Sequence, residues 1–133
     1  MRRAESLLIT KEDHYMESPK IKTESLLPAE ITSLPKVEIP VAGITGYCLS
    51  NQEKQIVFFE IEEGVSVPDH SHCAQSGTVV SGEMTLDVEG QTNLYQPGDV
   101  YHIPQGARHR ASFSKRTFVI DLFDAPDRYP VAS

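Results

Sequence analysis

His70 and His72, two positions apart, are residues of this 133-residue chain whose type and spacing suggest chemistry. On an extended strand successive side chains alternate between faces, so both imidazoles point the same way, with Cα atoms about 6.5 to 7 Å apart. Two neutral imidazoles so placed can ligate one divalent ion, and zinc, manganese, iron and nickel all accept them. A His-x-His pair by itself is more often a surface coincidence than a metal site, so its surroundings have to decide. Cys73 follows His72 directly and would point to the opposite face. His102, in Tyr101-His102-Ile103, reads as a structural or surface histidine, and His14 as a solvent-exposed one.

The elements that must position these groups are strands. From about Val41 onward, short runs of β-forming residues alternate with turns. Gly43 to Leu49 and Gln55 to Ile61 flank the polar Ser50-Asn51-Gln52-Glu53 and predict a hairpin. Met84, Leu86 and Val88 alternate with Glu83, Thr85, Asp87 and Glu89, the pattern of a half-buried strand. Phe118, Ile120 and Leu122 alternate again near the end, after turns at Ser81-Gly82, Gly90 and Pro97-Gly98-Asp99. Many short strands without a long amphipathic helix predict an all-β sandwich or barrel. Residues 1–35 carry charges, prolines and short apolar clusters without periodicity and are expected to form an N-terminal arm, leaving 36–133 as the domain. Glu5 to Tyr15 is expected to make at most a turn or two of helix. Leu26, Leu27 and Ile31 suit packing against the barrel or a neighbouring subunit, and a disordered arm is the alternative.

Two longer patterns surround the histidines. Gly64-Val-Ser-Val-Pro-Asp-His70-Ser-His72-Cys-Ala-Gln75-Ser-Gly-Thr-Val-Val-Ser-Gly82 resembles the first cupin motif, and Gly98-Asp-Val-Tyr-His-Ile-Pro104-Gln-Gly106-Ala-Arg-His109 resembles the second. The fifteen residues between Gly82 and Gly98 resemble the short spacer of small cupins. This resemblance implies a cupin-type jelly-roll β-barrel, usually dimeric, with His70, His72 and His109 directed inward around one divalent metal ion per chain (Zn, Mn, Fe or Ni). At the place of the family's acidic ligand stands Gln75, six residues before Gly82, and the loop after His72 is short. An amide oxygen can ligate but brings no charge. With three neutral imidazoles it would leave the 2+ charge uncompensated, a site expected to favour an anionic ligand.

Composition narrows the class. The 39% of hydrophobic residues suffices for one core, and the formal charge of −7 with pI near 5.1 argues against a nucleic-acid partner. No apolar run reaches the roughly 18 to 20 residues of a membrane helix, and two isolated cysteines, Cys48 and Cys73, suit reduced thiols in a cytoplasmic protein. The expected partners are therefore a small-molecule ligand and, from the resemblance, a second copy in a homodimer. Phe58, Tyr101 and Phe113 are candidates to line a substrate pocket. Arg108 and Arg110, flanking His109, are candidates to attract an anion, and Asp121 is either an outward residue or a polar group in the pocket. No catalytic residue is assigned. The expected function is that of a metalloenzyme acting on a small anionic, carboxylate- or sugar-derived molecule, with dioxygenase, decarboxylase, isomerase and lyase chemistry all open. The alternative is a non-catalytic module that binds or senses a small ligand through its metal.

Overall fold

A computed structural model of the chain describes Ser25 and residues 27–132. A short helix, α1 (Ala29–Thr32), precedes nine strands among these residues. They are β1 (Ile44–Ser50), β2 (Gln55–Ile61), β3 (Ser66–His70), β4 (Gln75–Ser81), β5 (Met84–Val88), β6 (Gln91–Tyr95), β7 (Val100–Ile103), β8 (His109–Ser112) and β9 (Thr117–Phe123). Every pairing is antiparallel, in a five-stranded sheet of order β1-β2-β9-β4-β7 and a four-stranded sheet of order β3-β8-β5-β6. The fold is an all-β jelly roll. No helix among the described residues is long and apolar enough to cross a membrane.

Alternation along the strands builds the core. Val57, Phe59 and Ile61 of β2 and Val119 and Phe123 of β9 turn inward, where they meet Met84, Leu86 and Phe113 from the other side of the barrel. The neighbours of these residues point outward. Phe118, Ile120 and Leu122, the apolar series most visible in the sequence of β9, therefore face away from the main core. The five-stranded sheet is apolar on both faces, and its outer face has a cluster of its own: Leu27, only 3% exposed, with Tyr47 and Phe118, and with Ile31, Leu34, Phe58 and Ile120 packed around them. The last part of the arm thus lies on the barrel. Leu26 and Glu5 to Tyr15 fall outside the described residues.

Two local features fix the ends of the strands. Gly82, at φ 83, turns β4 into β5 where a Cβ would stand 2.5 Å from the Arg116 carbonyl oxygen, so both conformation and space require glycine. After β9 the chain is tied back by Gln55, whose side chain is buried. Its Nε2 donates to the Tyr129 carbonyl (3.0 Å), and its Oε1 accepts from the Tyr129 N–H (3.0 Å). A carboxamide here replaces a missing strand partner for one residue.

Candidate metal centre

The four-stranded sheet supplies two imidazoles. In the β3–β8 pairing His70 stands opposite His109, and their ring centroids are 4.2 Å apart. His72 is not on the strand with His70, as the His-x-His spacing implied. Strand β3 ends at His70, and His72 lies in the loop that crosses to the other sheet. That loop is held by the turn before His109, since Gly106 donates its N–H to the His72 carbonyl at 2.9 Å. The His72 ring consequently sits 5.1 Å from His70 and 4.8 Å from His109.

The ring nitrogens are sorted by the backbone. Nδ1 of His70 lies 2.8 Å from the Pro68 carbonyl, Nδ1 of His72 2.7 Å from the Cys73 carbonyl, and Nδ1 of His109 2.9 Å from the Ala107 carbonyl. A carbonyl oxygen can only accept, so each Nδ1 carries the proton and each Nε2 is left with a lone pair. One ligating nitrogen from each ring lies within 4.8 Å of the others. Burial, followed by the positive charge of Arg128, pushes the proton affinity of His72 down to about pKa 4, and burial likewise lowers His109. Both rings are thus held neutral, the state a metal needs.

Across the cavity, the five-stranded sheet contributes Gln75 and Asp121. In its register Asp121 of β9 lies opposite Gly77 of β4, and Gly77 opposite Tyr101 of β7. Because Gly77 has no side chain, Tyr101 and Asp121 meet above it, and the phenol donates to Asp121 Oδ1 at 2.5 Å. Gln75, two residues along β4, donates Nε2 to Asp121 Oδ2 at 2.8 Å. Its other terminal atom, Oε1, is buried with no hydrogen-bond partner. The cavity of about 70 Å³ is lined by His70, His72, His109, Gln75, Asp121 and Phe113 among others. An orphaned acceptor in the same small cavity as three free Nε2 atoms fits a cation. These residues suit the divalent ion the histidine pattern implied.

A family model for the cupin domain matches residues 57–120, which include both histidine motifs and the strands carrying them. Over these residues the chain is similar to the cupin domain. Among solved structures, the chain is similar to KdgF from Halomonas sp., at 27% identity over 69% of this chain and 88% of that one, with a TM-score of 0.62. It is also similar to an RmlC-like cupin from Shewanella frigidimarina, at 27% identity over 71% and 86% of the two chains and a TM-score of 0.63. A variant of oxalate decarboxylase from B. subtilis shares the fold at 14% identity, over 73% of this chain and 29% of that one, with a TM-score of 0.61. No curated protein sequence matches.

The other candidates fall out by strand parity. Phe113 lines the cavity, but Phe58 does not: it shares the outward face of β2 with Ile56 and packs near Leu27. Tyr101 stands behind Asp121 as its hydrogen-bond donor. Arg108 and Arg110 are exposed and paired with Asp69 (2.7 Å) and Asp87 (3.8 Å) on the outside. His102 is exposed and bonded to Ser76, and Cys73 is half-buried beside the core. His14 lies outside the described residues. Asp121 resolves inward: burial raises its pKa to about 7 against the opposing hydrogen bonds from Tyr101 and Gln75. The site is therefore not devoid of acidic groups, since a carboxyl stands one residue behind the neutral amide. Parity put Asp121 on one face with Val119 and Phe123, opposite Ile120 and Leu122, without saying which face is inside. Arg128 and Tyr129 follow the last strand in an irregular segment and carried no sequence signal.

Proposed function

We propose that this chain is a metal-dependent enzyme acting on a small, anionic organic molecule bound at one divalent ion inside the barrel. His70, His72 and His109 hold the ion through Nε2, and Gln75 offers Oε1 as the fourth protein donor. The observation that carries this reading is the convergence of three imidazoles, each with Nδ1 committed to a carbonyl, with the unpartnered Gln75 oxygen in one cavity. A bound divalent ion supplies Lewis acidity to an oxygen ligand. Asp121 favours an enzyme over a passive binder. A buried carboxyl balanced near neutrality, in the same cavity, can take up or deliver a proton at the ligand. The cavity volume suits a ligand of a few heavy atoms. Metal analysis of the full chain after loading with zinc or manganese tests the assignment. One ion per chain and a metal-dependent rise in Tm are expected, both lost in His70→Ala and in His109→Ala. Equal metal content in the wild type and these variants overturns it.

The same reading includes a cytoplasmic homodimer. The two free cysteines suit a reducing compartment. Beyond the strip covered by Leu27, the outer face of the five-stranded sheet continues through Ile56, Ile120, Leu122 and Val100, the last 74% exposed. A contiguous apolar face of this kind on a soluble domain is characteristic of an interface. The charged double substitution Val100→Lys with Leu122→Lys is expected to convert the dimer to a folded monomer in sedimentation velocity. A wild-type protein that sediments as a monomer at all concentrations refutes the dimer.

A further inference from the structure

Among the described arginines, Arg108, Arg110 and Arg116 each lie within 4 Å of a carboxylate, those of Asp69, Asp87 and Glu60. Arg128 has none among the described residues. Its guanidinium is held by stacking instead, with its central carbon 4.1 Å from the ring centre of Tyr129 and 5.9 Å from that of Phe123. Among the described residues Nε is buried without an acceptor, and the one hydrogen bond the group makes there is a long contact of 3.4 Å from Nη2 to the Tyr129 hydroxyl. Its strongest donors are thus uncommitted. The support beneath it is rigid: Gln55 clamps the backbone of Tyr129 on both sides, and Glu38 donates its N–H to the Pro130 carbonyl at 2.8 Å.

The position of this cation matters. Phe123 meets the His72 ring edge-on at 5.7 Å, so one aromatic ring spans the distance between the guanidinium and the imidazoles. Tyr129, on which Arg128 stacks, is itself a wall of the cavity. A fixed guanidinium separated by the Phe123 and Tyr129 rings from a centre built for a second cation is a repulsive arrangement that an anion lying across both relieves. Such geometry selects for a ligand that carries negative charge toward each.

We propose that Arg128 is the specificity-determining residue of the site, binding a carboxylate at one end of a small organic acid whose other end carries the oxygen donor that meets the His70–His72–His109 cluster. The inference rests on reading that cluster as a metal centre. A guanidinium fork binds a carboxylate by paired, charge-assisted hydrogen bonds, which an uncharged amide cannot reproduce. The discrimination expected between the two is about ten-fold or more.

The test is calorimetric titration of the zinc-loaded full chain with malonate, succinate and glutarate, each against its own monoamide. At one chain length or more the wild type is expected to prefer the diacid by at least about ten-fold, and Arg128→Gln to lose that preference while binding zinc as before. Arg128→Met, which keeps the stem packed on Phe123, serves as the second variant if the first does not fold. A preference for the diacid that survives both substitutions, or no preference at any length in the wild type, overturns the assignment and leaves the metal centre standing. Failure of the wild type to take up zinc is a different result and removes the underlying reading along with it.

Discussion

The Gln75 side chain can turn either its oxygen or its amide hydrogens toward the three imidazoles, and Asp121 decides which. A carboxylate accepts and does not donate, so it claims Nε2 and leaves Oε1 pointing away from it. Asp121→Asn gives Gln75 a partner that donates as well as accepts, which removes the reason for that orientation. Zinc affinity measured by chelator competition is expected to fall by about ten- to a hundred-fold, although no ligand is deleted. Unchanged affinity would mean that Gln75 is not a ligand. Asp121 and His72 also give the metal-free protein opposite pH dependences. His72 has a folded pKa of about 4, below its unfolded value, so its contribution to stability is lost as pH falls from about 6.5 toward 4. Asp121 has a folded pKa of about 7, above its unfolded value, so its contribution is present at acid pH and is lost as pH rises through 7. Above pH 6.5 only the Asp121 effect remains of the two. The apo protein should therefore lose Tm between pH 6.5 and 8, and Asp121→Asn should abolish that loss. An identical slope in the variant would locate the titration elsewhere.

At the scale of the element, β4 does two jobs with alternate residues. Gln75, Gly77 and Val79 share its inward face, and the middle position must be empty because the side chains of the two flanking strands meet there. A Cβ on Gly77 would fall on Asp121 Oδ1 and stand 2.5 Å from Tyr101 Cζ and Oη. Gly77→Ala is expected to destabilise the protein by about 1 to 3 kcal/mol in urea unfolding, as overpacking does. Because the displaced group is the one that orients Gln75, metal affinity should fall in the same variant. Loss of stability without loss of affinity would uncouple β4 from the metal centre. The β3–β4 loop shows the complementary lesson. The strand spacing that brought His70 and His72 together in the sequence is not what unites them in space; the hydrogen bond from Gly106 does so, after β3 has ended.

For the molecule as a whole, the five-stranded sheet is unusual in being apolar on both sides, and the chain covers part of the second side itself. Leu27 is buried between Tyr47 and Phe118, and the approach is fixed by Ser25, whose hydroxyl donates to Glu60 at 2.8 Å and accepts the Leu27 N–H at 2.9 Å. Leu27→Ala is expected to cost about 2 to 4 kcal/mol in urea unfolding, the range of a buried leucine, while leaving metal affinity intact on the opposite side of the sheet. A loss below about 0.5 kcal/mol would show that the arm contributes no packing, as for an ordinary surface substitution.

How much of this was legible beforehand differs between the fold and the site. Alternation and turn residues determined an all-β chain, because side-chain parity along a strand and glycine or proline at its ends are local properties. The grouping of the three histidines was implied by the resemblance of two segments to the cupin motifs, and spacing alone did not give it. Parity alone could not say which of two apolar faces is inside, and so Phe58 and the Phe118, Ile120, Leu122 series could be assigned to a face only by the second sheet. Asp121 had equal claims to the interior and the surface until its cross-strand neighbour proved to be a glycine. Arg108 and Arg110 adjoin His109 in sequence yet lie outside the barrel, whereas Arg128, nineteen residues beyond it, stands beside the imidazoles. The sequence determined which groups could ligate, since that is a matter of residue type. The surroundings of those groups, including the direction of Gln75 and the charge that reaches His72, are sums over neighbours that only register and the crossing of loops bring into contact.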